Sequence, residues 1–195
     1  AKFDPRPAPI AALPPRSELI AAIKDLRSEK RERKAAKEDG ADSTEQQSNS
    51  YRKAVRDQYV AAVDARLAVA LGSRQDFAER LVHFWANHFA ISIDKIVTVG
   101  LAGNFEFDAI RPHIFGRFAD LLKAASWHPA MLLYLDQAQS IGPNSMLAQR
   151  IGARRNREIG LNENLAREIL ELHTLGDRTA YSQADVTDFA RAMTG

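Results

Sequence analysis

Residues 160–176 read GLNENLAREILELHTLG, and this stretch carries the clearest helix signal in the chain. Its large apolar side chains recur three and four residues apart, which is typical of one helix face packed against a core. They are Leu161, Leu165, Ile169 and Leu172. Gly176 stands where a left-handed residue would end the helix, because glycine adopts that conformation without a Cβ penalty. The stretch therefore predicts a core helix.

The same helix carries side chains suited to chemistry. At about 100° per residue, Asn164, Glu168 and Glu171 share one flank of the apolar stripe, and His173 lies on the other flank. Together with His88 from an earlier helix, these residues form our candidate polar cluster. Imidazole and carboxylate ligands suit zinc, iron or manganese, and helical bundles build such sites from facing helices. One hypothesis is therefore a metal site.

A structural role is the alternative for these residues, and we favour it. Metal ligands must converge, and on this helix only the two glutamates share a face with each other. The two carboxylates would then pair with arginines such as Arg80, Arg111 or Arg191. The two histidines would be satisfied core or cap residues.

A second candidate site is a run of arginines ahead of this helix. The run lies in a segment without hydrophobic periodicity, which predicts a long surface loop. A helix N-terminus offers unpaired amides, and guanidinium groups match phosphate, sulfate or carboxylate, so an anion site is one reading. A solvated basic loop is the alternative that we favour. The candidate anion-binding residues are Arg150, Arg154, Arg155 and Arg157.

Composition divides the chain into four parts. Residues 1–16 hold five of the eight prolines and predict an extended arm that lies along the domain or leads into it. Residues 17–37 predict an amphipathic and then charged helix, and residues 38–49 a mobile polar linker. Residues 50–195 predict a helical core domain that is truncated at its C-terminus. The fold class is mainly α, an irregular multi-helix bundle with long loops.

Local signals place the elements of the core domain. A helix begins near Tyr51, and the next one carries an aromatic stripe. Proline in a first turn marks helix starts at Arg111-Pro112 and His128-Pro129. Ser182 and Asp185 form a capping box for the last helix. The β-branched stretch 91–99 predicts an extended connection or short strand. The residues of the aromatic stripe are Phe77, Leu81, Phe84, Trp85 and His88.

The overall composition excludes several classes of protein. The chain is 45% hydrophobic and 27% charged, which is ordinary for a globular domain. A net charge of +2 and the lack of a binding motif argue against nucleic acid as a partner. No apolar run reaches the roughly 20 residues that span a bilayer. With no cysteine there is neither a disulfide nor a thiol nucleophile. The compartment, cytoplasmic or periplasmic, stays open.

Several motifs resemble one bacterial family. NENLAREILELHTLG at 162–176 is followed by YSQADVTDFARAMTG at 181–195, and HFWANHF stands at 83–89. FDAIRPHIFGRFADLL at 107–122 and SWHPAMLLYLDQAQS at 126–140 complete the pattern. From about Tyr51 onward the chain resembles the domain of unknown function 1800 family. Since family members are longer at both ends, we expect a fragment. The resemblance implies a partner, the exported protein similar in fold to sulfatases and phosphatases that such members tend to be encoded beside.

Two functional classes remain. The first is a helical scaffold or binding module that works with a partner protein through the polar groove beside the 160–176 helix. The second is a metal-dependent enzyme, such as a hydrolase, with a site on the 161–175 helix where Glu168, Glu171, His173 and His88 converge. We prefer the first, because no motif has the spacing that catalysis demands, and nothing in the sequence requires a cofactor.

Overall fold

The computed structural model describes residues 2–18, 20–21, 28, 41–146, 148, 150 and 160–194. Every regular element within these residues is helical and none is a strand, so the fold is mainly α, as predicted. None of the described helices is both long and apolar enough to cross a bilayer. Most of the charged helix predicted at 17–37 lies outside the described residues.

The N-terminal half contains helices of very different length. They are α1 (Ala8–Ala11), α2 (Ala41–Gly72), α3 (Asp76–His88), α4 (Ile96–Val99) and α5 (Ala102–Asn104). Helix α5 continues without a break into a π-helical segment, Phe105–Ile110, and then a 3₁₀ turn, Arg111–His113. We call Phe105–Ile110 the first π segment.

The C-terminal half also contains an α-helix that continues into a π-helical segment. Its helices are α6 (Phe118–Ser126), α7 (Pro129–Tyr134), α8 (Asn164–Glu168) and α9 (Gln183–Thr194). Helix α8 runs directly into a second π segment, Ile169–Thr174. Short 3₁₀ turns at Gln137–Gln139 and Arg178–Ala180 complete the described elements.

One large apolar cluster joins the two halves. It draws buried side chains from α3, the first π segment, α6, α7 and α8, among them Val82, Ile110, Leu121, Met131 and Leu165. A smaller cluster forms where Ile10 of α1 packs on Ala62 and Val69 of α2. The proline-rich arm therefore lies along the domain, although Ala8–Ala11 is a helical turn and not extended.

Two stretches predicted as non-helical are helical in part. Helix α2 begins at Ala41, within the segment predicted as a polar linker. Extending an existing helix costs less than nucleating one, so a packed helix can continue through residues of weak propensity. The β-branched stretch 91–99 ends in helix α4, where the Thr98 hydroxyl donates to the carbonyls of Lys95 and Ser92 at 2.7 and 2.9 Å. Residues 90–95 form the predicted connection.

Helix α3 turns only part of its predicted stripe to the core, where Leu81 and Trp85 pack against the large cluster. Its buried residues are Ala78, Glu79 and Val82, whereas Phe77 and Phe84 of the predicted stripe are 72% and 58% exposed. The reason is an ion pair of Glu79, described below, that holds this glutamate inside.

Arg111-Pro112 was also predicted as a helix start, but it continues α5, and the next helix begins at Phe118.

Local capping signals are confirmed. His128 is the N-cap of α7, and its side chain accepts from the Ala130 amide at 3.2 Å. The Ser182 amide donates to Asp185 at 2.7 Å, and the Asp185 amide donates back to the Ser182 hydroxyl at 3.3 Å. Gly176 has φ 71°, the left-handed conformation expected after the 160–176 helix.

Candidate functional site

The second π segment changes which residues of the 160–176 helix face the core. The Leu175 amide donates to the carbonyl of Leu170, five residues earlier, at 3.0 Å. This wider turn rotates the following side chains relative to an α-helix. His173 is consequently buried, whereas Leu172 is 60% exposed. The predicted apolar stripe is therefore wrong at Leu172, and its place is taken by a histidine.

His88 and His173, two residues of the candidate cluster, lie side by side. Their ring centroids are 6.0 Å apart, and His88 Nε2 donates to the His173 backbone carbonyl at 3.2 Å. Within the described residues, His173 Nδ1 has no hydrogen-bond partner. Burial, and then the nearby His88, lower the pKa of His173 to about 4. His173 is thus a neutral imidazole at neutral pH.

The two carboxylates of the candidate cluster have different surroundings. Glu171 forms an ion pair with Arg178, whose Nε donates to Oε1 at 2.9 Å, so the arginine is not one of those predicted. Glu168 has no ion-pair partner in the part of the chain that the structure describes. Burial, and then the charge of Glu171, raise the pKa of Glu168.

The five residues of the cluster therefore divide into a histidine pair, a glutamate pair and a separate asparagine. Asn164 is exposed in the first turn of α8, where its amide donates to Asn162 Oδ1 at 2.9 Å. Across the described ranges, no three His, Asp or Glu side chains are grouped so that they could hold a metal ion. The metal-site hypothesis gains no support from this geometry.

The candidate anion site is described only in part. Arg150 is exposed and lies in helical backbone, as do Met146 and Ala148, so the predicted loop is partly helical there. Arg154, Arg155 and Arg157 lie outside the described residues. The anion site stays a prediction.

A buried ion pair, not predicted as such, joins α3 to the 3₁₀ turn after the first π segment. Arg111 Nη1 and Nη2 donate to the two carboxylate oxygens of Glu79 at 2.8 and 2.7 Å. The two side chains are 1% and 8% exposed. Arg111 Nε donates to the Pro5 carbonyl at 3.1 Å, so the N-terminal arm completes its hydrogen bonding. This bidentate geometry is the strongest form of a carboxylate–guanidinium contact.

A second network lies next to this pair, on the first π segment. Arg66 of α2 donates from Nε to Glu106 Oε2 at 2.6 Å and from Nη2 to His83 Nδ1 at 2.9 Å. Glu106 is buried, and its Oε1 has no hydrogen-bond partner within the described residues. Burial raises the pKa of Glu106 more than Arg66, Arg111 and His83 lower it.

Glu106 and Arg66 border a cavity of about 220 Å³ between α2, α3 and α5. Most of its other walls are apolar and small. They include Ala62, Val63, Ala86, Ala90 and Gly103. This half-open pocket shares its apolar walls and few polar groups with ligand sites, but it is smaller than the roughly 300–1,000 Å³ that is typical of them.

A family model matches residues 3–195, almost the whole chain. The chain belongs to the family described as protein of unknown function (DUF1800). Neither the curated proteins nor the solved structures contain a match to it. The family resemblance read from the motifs is confirmed, and its extent is larger than the motifs indicated, because the match includes the proline-rich arm.

In this DUF1800 chain, one signal could have pointed to the Glu106 region. Residues 101–110 read LAGNFEFDAI, an apolar run interrupted by acidic side chains. A carboxylate within such a run is buried only with a partner. The sequence pattern instead predicted a helix start at Arg111-Pro112 and offered Arg111 as a partner for Glu168 or Glu171. Neither prediction placed this arginine or Arg66 in the interior network.

Proposed function

We propose that this chain is a helical binding module that docks a partner protein. The docking surface is formed by α3, by α6 and by the continuous helix that α8 and the second π segment make together. We call it the α3–α8 surface. Its side chains are Phe84, Trp85, His88, Phe118 and Leu172. The observation that carries the proposal is their exposure, since Phe84, Phe118 and Leu172 are 58%, 42% and 60% exposed. Clustered exposed apolar side chains mark interaction sites on soluble proteins.

Ring contacts join the four aromatic side chains of this surface, and the His88–His173 contact brings the second π segment beside them. The Trp85 ring centroid lies 5.0 Å from that of Phe84 and 5.7 Å from that of Phe118. His88 stands 5.4 Å from Trp85 and 6.0 Å from His173, the chain neighbour of Leu172. Aromatic side chains bury a large area at little entropic cost, which is why they dominate binding hot spots.

The carboxylate of Glu168 beside this surface indicates which charge the partner carries. Glu168 lies about one turn before Leu172 and has no counter-charge in the described part of the chain, and burial raises its pKa. A lysine or arginine on the partner would supply that counter-charge. We infer a partner whose surface carries an apolar side chain for the exposed aromatic side chains and a basic side chain for Glu168.

The specific partner that we propose comes from the family resemblance. It is the exported protein, similar in fold to sulfatases and phosphatases, that such family members tend to be encoded beside. This assignment supplies a defined protein for the test, and the α3–α8 surface supplies the variants.

The experiment is biolayer interferometry with that protein immobilised. Phe84→Ser and Phe118→Ser should each weaken binding at least tenfold, since truncating a central aromatic side chain costs about 2 kcal/mol or more. Leu71→Ser, at an 86% exposed position at the end of α2, is the matched control and should bind like the wild type. Equal affinity of all four proteins, or no binding of the wild type, would contradict the proposal.

A further inference from the structure

An open groove of about 500 Å³ runs beside α6, and its volume lies within the usual range of ligand sites. On the α6 side it is lined by Asp120, Lys123 and Trp127. Asp120 and Lys123 are neighbours one helical turn apart, and the Trp127 amide donates to the Lys123 carbonyl at 3.1 Å, which keeps Trp127 in the following turn. Phe118 stands two positions before Asp120 and so on the other side of α6. The α6 groove is therefore separate from the α3–α8 surface.

Trp127 is the unusual side chain of the α6 groove. It is 66% exposed, although tryptophan is highly buried on average. The next residue, His128, also lines the groove and is only 3% exposed. The face of an aromatic ring carries partial negative charge and attracts hydrogens that carry partial positive charge. The exposed indole therefore suits a ligand with a flat face of C–H groups.

Charged side chains of both signs line the same groove in equal number. They are Arg16, Asp108, Asp120 and Lys123. Asp108 is already paired with Arg6 and Arg16, at 2.9 and 3.9 Å. Asp120 and Lys123 are exposed and form no ion pair within the described residues. A ligand on Trp127 thus meets a free acceptor and a free donor one turn apart, with no net charge to balance.

These groups select an uncharged ring that carries several hydroxyl groups. A hydroxyl group both donates and accepts, so neighbouring hydroxyls can donate to Asp120 and accept from Lys123. A charged ligand gains little here, because water and salt screen pairs of exposed charges. A pyranose ring combines the two properties, since its face presents C–H groups and its edge presents hydroxyls.

We propose that the α6 groove is a binding site for an uncharged sugar, whose pyranose ring lies on the Trp127 indole while its hydroxyl groups hydrogen-bond to Asp120 and Lys123. All three side chains are exposed, so the sugar reaches them without a rearrangement of the core. The site does not depend on the partner protein of the α3–α8 surface.

The test is an NMR titration of the isotope-labelled full chain with three kinds of probe of similar size. Methyl glycosides of glucose, galactose, mannose and N-acetylglucosamine represent the proposed class. Sorbitol has the hydroxyls without the ring, and phenylalanine has a ring with both charges. We expect at least one glycoside to bind about tenfold more tightly than sorbitol and phenylalanine, with the largest shift at the Trp127 indole N–H.

Each other outcome of the titration would overturn a stated part of the proposal. Equal affinity for sorbitol and the best glycoside would overturn stacking of the ring on Trp127. Tightest binding of phenylalanine would overturn the uncharged class. Binding by none of the four glycosides would overturn the site itself.

Variants of exposed residues localise the sugar. Trp127→Ala should weaken the best glycoside about tenfold, whereas Trp127→Phe keeps an aromatic face and should retain most of the affinity. Asp120→Ala should weaken binding about threefold, the smaller loss expected of one exposed hydrogen bond. Phe77→Ala removes a 72% exposed aromatic side chain on α3, outside the groove, and is the matched control that should bind like the wild type.

The amide spectrum of each variant shows whether it is folded, and the indole signal that is missing in Trp127→Phe identifies Trp127. Unchanged glycoside affinity in a folded Trp127→Ala variant would refute the site. Unchanged affinity in Asp120→Ala would refute the hydroxyl contact, and an equal loss in Phe77→Ala would show that the effect is not specific to the groove.

Discussion

The two π segments of this DUF1800 chain bring opposite kinds of titratable side chain into the interior. The first segment buries Glu106 and leads directly into Arg111, and guanidinium groups from α2 and from its own 3₁₀ turn accompany the carboxylate. The second segment buries His173 beside another imidazole, His88, with which it forms no side-chain ion pair. One region thus buries charge together with counter-charge, and the other buries a neutral base.

The two regions tolerate a buried titratable group for different reasons. A bidentate pair such as Glu79–Arg111 tolerates burial because every charge is matched and hydrogen-bonded. His173 tolerates burial because its pKa falls to about 4, so no charge is present at neutral pH. The first region is therefore sensitive to loss of one partner, and the second is sensitive to acid.

The largest expected effect is the loss of Arg111. Arg111→Met leaves the Glu79 carboxylate buried without a counter-charge and should lower the free energy of unfolding by about 3–5 kcal/mol. Replacing both residues, with Glu79→Leu and Arg111→Met together, should recover most of this loss. Urea unfolding monitored by circular dichroism measures both values. A double variant as unstable as the single one would show that the arginine acts through its contact with Pro5 and not through the ion pair.

The register of the second π segment predicts the next effect. Leu165 is fully buried and Leu172 is 60% exposed, although both belong to the stripe expected of a regular α-helix. Leu165→Ala should cost about 2–5 kcal/mol, and Leu172→Ala no more than about 0.5 kcal/mol. Thermal and urea unfolding of the two variants provide the comparison. Similar losses in both would mean that the helix keeps an α-helical register in solution.

The close approach at Gly103 gives a smaller expected effect on the first region. Gly103→Ala places a Cβ 2.4 Å from the Ala62 Cβ, so α2 and α5 must move apart. Such overpacking costs about 1–3 kcal/mol. Gly72→Ala, where nothing lies within 4 Å of an added Cβ, is the matched control. A Gly103→Ala variant as stable as that control would show that the two helices separate readily.

The smallest expected effect is the loss of unfolding free energy on acidification, when it is counted for a change of one pH unit. His173 binds its proton more tightly in the unfolded chain, where its pKa is about 6.5, than in the folded chain, where its pKa is about 4. Its contribution to stability is present above pH 6.5 and is lost as the pH falls towards 4, by up to about 1.4 kcal/mol per pH unit. His173→Leu should remove that slope.

Unfolding by urea at several pH values between 4 and 7.5 measures the slope. Glu106, whose pKa is raised by burial, acts in the opposite direction, since its contribution to stability is lost as the pH rises above 4.5. The difference between wild type and variant isolates the histidine from this opposing carboxyl. An identical pH dependence in the two proteins would place a charged His173 in the folded state.

Much of the fold was predictable because its signals are local. The helical class follows from apolar spacing within single helices. The start of α7 at His128-Pro129, the Ser182–Asp185 capping box and the left-handed Gly176 involve residues at most three apart. In the site, the sequence identified His88 and His173 as candidates, and the structure places them side by side.

The remaining features depend on contacts between distant parts of the chain. Glu79 and Arg111 are 32 positions apart and Arg66 and Glu106 are 40 apart, so no local pattern pairs them. The contact of Glu79 with Arg111 determines which face of α3 is buried. The contact of Arg66 with Glu106 occurs at the first π segment, which places Glu106 in the interior. The amino-acid sequence alone determined which segments become helices, through hydrogen bonds and spacing within a few residues. Tertiary structure decided which face of each helix is buried, because burial of a charge depends on a counter-charge from elsewhere in the chain.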